Sequence, residues 1–148
     1  MNKFLYFRTV ADEANDGVTG LKTSTPSSFM FPADTLTAMQ PTSDTALTIY
    51  FKPALQNANP ASSLRDTVVL NVTAGKTFEV MSAITDAIAS PTRGHSDGFI
   101  VIADDVAITD SATSALDDVA VTPKYVHSSI TSCGAIKVQA PTTMGVHE

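Results

Sequence analysis

The stretch RGHSDGFIVIADD, Arg93 to Asp105, gathers an arginine, an imidazole, a hydroxyl and a carboxylate, then an apolar run, then two further carboxylates. Arg93, His95, Ser96 and Asp97 are the residue types of nucleophilic catalysis. Their spacing argues against it. A triad draws its members from separate elements and presents the nucleophile on a sharp turn, whereas these four are near neighbours in the chain and no G-x-S-x-G elbow is present. The stretch reads as a helix-to-strand loop turned at Gly94 and Gly98, then a central strand, then an acidic turn.

Asp104, Asp105, Asp110, Asp117 and Asp118 are hard oxygen donors of the kind that bind calcium. They lack the alternating Asp/Asn spacing, central glycine and closing glutamate of an EF-hand loop, and the DEAND-G run at Asp12–Gly17 fails in the same way. A solvated acidic loop is the expectation. Cys133 is the sole cysteine, so no intrachain disulfide can form. It is expected as a small buried strand residue rather than a nucleophile. Asn71-Val72-Thr73 matches a glycosylation sequon but falls inside an expected strand. Gly75-Lys76-Thr77 has the ending of a phosphate-binding loop without its upstream glycine. No catalytic, cofactor-binding or metal-binding residue is assigned, and the chain is not expected to be an enzyme.

The elements around these residues follow from periodicity. Lys3–Thr9 is rich in aromatic residues and reads as a strand. Thr45–Pro53 and Asp66–Thr73 alternate, with Leu47, Ile49 and Phe51, and then Val68, Leu70 and Val72, each on one face. In Lys76–Ser90 the residues Phe78, Met81, Ile84 and Ile88 recur at helical spacing, widened by Val80 and Ala87. Gly98–Asp104 leaves neither face polar, so that strand is expected to be covered on both sides. Lys124–Ala140 supplies the last one or two strands. The order β–β–β–α–β–β indicates an α+β class, a mostly antiparallel β-sheet of about five to six strands with one packed helix at 76–90 and long loop arms. The length of the link from Asp66–Thr73 through the helix to Gly98–Asp104 allows a right-handed crossover and a parallel pairing of those strands.

Residues 1–148 are read as a single domain. About thirty residues from Val10 to Pro41 show no period, and an extended arm or loop is expected over about 10–44. Within it Phe29, Met30, Phe31, Leu36 and Met39 form an apolar cluster with no evident element to bury them, and they are the candidate interface residues.

Composition narrows the partners. The net charge is −6 with only nine scattered basic residues, which disfavours nucleic-acid binding. No apolar run is long enough to span a membrane, and the N-terminal MNKFLYFRTV has no long apolar signal core. Charged residues are 16% of the chain, low for a free soluble monomer.

The segments KFLYFRT, FPADTLTAMQPTSDTALTIYF (Phe31–Phe51), DTVVLNVT with Lys76 and EVMSAI, RGHSDGFIVIADD and SSITSCGAI together resemble a loose group of small marine bacteriophage proteins. The similarity runs over most of the chain and is weakest in Ala11–Ser28 and Ala54–Arg65. It implies a virion structural role. The chain is short for a major capsid shell fold and suits a capsid cement (decoration) protein on the capsid surface, or a small neck or tail component. The implied partners are the major capsid protein and copies of itself, as in a trimer, with no cofactor, nucleic acid or membrane. The alternative of a different class is an intracellular binding module that uses the acidic loop for a metal ion.

Overall fold

The computed structural model describes residues 3–9, 26–53, 65–89, 98–106 and 123–138. Eight strands and one helix follow in the order β1 (Phe4–Arg8), β2 (Ser28–Pro32), a 3-10 turn (Ala33–Thr35), β3 (Leu36–Ser43), β4 (Ala46–Phe51), β5 (Asp66–Val72), α1 (Thr77–Ala89), β6 (Phe99–Asp104), β7 (Lys124–Tyr125) and β8 (Ile130–Lys137). They form two four-stranded sheets, β2-β1-β6-β7 and β3-β4-β5-β8. The α+β class holds, mostly β with one helix, but the strands outnumber the expectation and divide between two sheets rather than one.

Alternation dictates the inner faces. Leu47, Ile49 and Phe51 on β4 and Val68, Leu70 and Val72 on β5 point inward, opposite Leu5 and Phe7 of β1, Phe31 of β2, and Ile100 and Ile102 of β6. Aromatic rings join the sheets across this core. Phe31 stacks on Phe51 with centroids 4.1 Å apart, and Phe7 meets both edge-on at 6.0 Å.

The helix buries Val80 and Ile84 in the same cluster, with Met81, Ala87 and Ile88 packed against it. Phe78, expected on that stripe, is 73% exposed. At 3.6 residues per turn it lies about 120° around the helix from Ile84, outside the buried stripe. The turn into the helix uses Gly75 at φ 81, a conformation that suits glycine. At the other end the Lys3 ammonium donates to the carbonyl of Ile88.

The crossover expected between β5 and β6 does not pair them. The helix carries the chain from one sheet to the other, and β6 instead lies parallel to β1, with Phe4 opposite Phe99. The arm expected over about 10–44 also resolves differently: 26–43 forms β2, the 3-10 turn and β3, while 10–25 lies outside the described residues. Two register shifts mark β3, opposite Leu36/Ala38 and Pro41/Ser43. The first brings Leu36 and Met39 inward three residues apart, a spacing that does not read as a strand.

Candidate functional site

The acidic turn at the end of β6 is where the expected chemistry is best defined. Arg8 of β1 grips Asp104 of β6 with two parallel bonds, Nε to Oδ1 at 2.8 Å and Nη2 to Oδ2 at 3.0 Å. The Val106 N–H also donates to Asp104 Oδ1, at 3.1 Å. Asp105 reaches the other sheet. It accepts the Cys133 N–H of β8 at 2.9 Å (Oδ1) and 3.1 Å (Oδ2), and the Tyr125 hydroxyl at 2.7 Å. The Thr9 hydroxyl donates to the Cys133 carbonyl at 3.0 Å. Both backbone groups of Cys133 are thus held by side chains just beyond the ends of β1 and β6 in the opposite sheet, beside a register shift in the β5–β8 ladder.

This cluster is a joint between sheets. Burial, and then the Asp105 carboxylate, push the Cys133 thiol well above its ordinary 9.0. The thiol is therefore protonated at neutral pH and a poor nucleophile. Burial, followed by the bond to Asp105, raises Tyr125 in the same direction. Two of the five acids considered for a cation are thus engaged by Arg8, Tyr125 and backbone N–H groups. Asp110, Asp117 and Asp118 lie outside the described residues, as do Arg93, His95, Ser96 and Asp97. Among the described residues there is no group of three or more His, Cys, Asp or Glu that could hold a metal. Asn71 of the sequon donates to the Ser132 hydroxyl at 2.8 Å.

The five candidate interface residues separate. Phe31 is fully buried in the core. Phe29, Leu36 and Met39 are half-buried and pack against the core. Met30 alone among them is largely free, at 44% exposure.

Met30 belongs to a surface the sequence reading missed. In register it stands opposite Tyr6, which stands opposite Val101; one row along, Pro32, Phe4 and Phe99 align. These residues point away from the core. Phe99 is 39% exposed, so β6 is not covered on both sides as expected. The Tyr6 and Phe99 rings lie 5.4 Å apart, and the Arg8 guanidinium sits 5.7 Å above the Tyr6 ring. The outer face of the first sheet is thus apolar and aromatic, bordered by the Arg8–Asp104 pair. The readable signal was the absence of polar alternation in FLYF and FIVI. No helix among the described residues is long and apolar enough to cross a membrane.

Comparison with known proteins finds no matching family model, no matching curated protein and no matching solved structure.

Proposed function

We propose that the chain is a structural protein of a bacteriophage particle, a capsid cement protein that stabilises the shell by binding its subunits and copies of itself. The observation that carries this reading is the aromatic outer face of the β2-β1-β6-β7 sheet. Antiparallel and mixed sheets that face water show polar residues there, and a contiguous apolar face marks an interaction surface. Aromatic residues and methionine are enriched at interfaces, and this face offers Phe4, Tyr6, Met30 and Phe99 with an arginine at its border. The low charge and the resemblance to phage proteins support the same reading. The engagement of Asp104, Asp105 and Cys133 in the inter-sheet joint weighs against chemistry at that point.

The test is the copy number in purified particles of the encoding phage, by quantitative mass spectrometry. A count in proportion to the shell subunits is the expected result. A small ring-like number would assign the protein to the neck or tail, and absence from the particle would leave the intracellular binding module.

A further inference from the structure

A groove of about 630 Å3 runs beside the first half of β6. Its walls include Ala87 of α1, Phe99 and Val101 of β6, and Tyr125 and Val126 at β7. Lys124 is the one charged residue among the described residues that line it. The volume lies within the roughly 300–1,000 Å3 of ligand-binding clefts.

The backbone explains why the groove exists. The Gly98 carbonyl accepts the Phe4 N–H at 2.8 Å, so Gly98 faces β1. Backbone groups alternate along a strand, so Phe99 and Val101 turn theirs away from β1, into the groove. The register shift in the β1–β6 pair turns the Ile102 carbonyl the same way, where it takes the Val126 N–H at 3.0 Å. Beyond Val126 the chain leaves this sheet. The Ile130 N–H bonds to the His127 carbonyl at 3.1 Å, and β8 begins in the other sheet. On the side away from β1, therefore, no strand among the described residues lies against Phe99–Val101.

An open sheet edge of this kind specifies its complement: an extended backbone with alternating side chains. The apolar walls specify apolar residues at alternate positions. Lys124, which has no ion-pair partner among the described residues, specifies a carboxylate at the rim. We propose that the groove is a strand-acceptor site, which takes an extended segment of a partner protein that is apolar at alternate positions and carries one carboxylate opposite Lys124. This rests on reading the chain as an assembly protein, but it stands or falls on peptide binding, independently of the copy number in particles.

The probe is the synthetic peptide acetyl-Thr-Val-Glu-Val-Thr-Val-amide, titrated into the full 15N-labelled chain. The expected result is a set of saturable shifts at the amides of Phe99, Ile100, Val101, Tyr125 and Val126. N-methylation of alternate peptide amides removes the donors to the edge and is expected to weaken binding about fivefold or more. Lys124→Glu is expected to weaken binding roughly threefold, with recovery when the peptide glutamate is replaced by lysine. Equal binding of the N-methylated peptide overturns the proposal, as do shifts confined to other residues. Shifts at the same amides on raising the protein concentration without peptide assign the groove to a second copy of this chain and overturn it too. Because the N-methyl comparison uses the unaltered chain, it remains decisive if Lys124→Glu perturbs folding.

Discussion

On the outside of the β3-β4-β5-β8 sheet, Tyr50 donates to Gln40 at 3.1 Å, the Thr42 and Thr48 hydroxyls lie 3.2 Å apart, and Asn71 donates to Ser132. On the outside of the β2-β1-β6-β7 sheet the corresponding cross-strand rows are Met30–Tyr6–Val101 and Pro32–Phe4–Phe99. The inner faces of the two sheets are alike, both aliphatic and aromatic and both sealed in one cluster. The outer faces are not. The first of these surfaces is finished: its hydroxyls and amides bond across strands and tolerate water. The second exposes apolar area, and burying such area is worth about 25 cal/mol per Å2.

Five substitutions and one titration break or sharpen that contrast. The largest effect is expected where both sheets depend on one residue. Ile84→Ala should cost about 2–5 kcal/mol in urea unfolding, since the helix stripe shares the core of both sheets. An unchanged midpoint would mean the helix is peripheral. Asp104→Ala removes the carboxylate that holds a mostly buried Arg8 by two bonds and an acceptor for Val106, and about 3 kcal/mol of destabilisation should follow by the same assay.

Alkaline titration probes the joint between the sheets. Cys133 and Tyr125 are both raised in the fold, so the unfolded chain releases their protons first, near 9.0 and 10.0. The stability they contribute is full below pH 9 and lost as pH climbs toward the folded values. Cys133→Ala should flatten the decline between pH 9 and 10; if the slope is unaltered, the buried thiol is not its source.

Smaller effects separate the exteriors themselves. Asn71→Ala, on the polar face, should cost about 1 kcal/mol or less. Met30→Thr, on the apolar face, should change stability by no more than about 0.5 kcal/mol while lowering association in particle reconstitution. Loss of stability from Met30→Thr that exceeds the loss from Asn71→Ala would erase the distinction.

The sequence made some of this legible, and the reasons are local. β4 and β5 announce themselves by strict alternation, and the helix appears at Thr77–Ala89 against an expected 76–90, because each is regular and buries one face. β2 and β3 were hidden for separate reasons. In β2 the outward Met30 is as apolar as the inward Phe29 and Phe31, so no alternation survives. In β3, an edge strand that can hold Pro41, the bulges shift the inner positions off period two. The division into two sheets was not legible either, since it depends on which strands meet. The acidic pair was visible as residues, but its role required Arg8 and Cys133, which are distant in sequence. The apolar exterior was written in FLYF and FIVI; FLYF was read only as a strand, and FIVI as a strand covered on both sides.

The parallel pairing of β1 with β6 has a consequence in time. Phe4 leaves the ribosome long before its neighbour Phe99 exists. At roughly 5–20 residues per second, β1 waits about 5–20 s for the strand that will sit beside it. During that interval β2 is its one partner strand among the described residues, and a two-stranded hairpin is marginal by itself. The β3-β4-β5 meander closes from neighbours in sequence and can form first. Synthesis therefore produces a half-built sandwich that exposes Leu5, Phe7 and Phe31 beside the face later left bare.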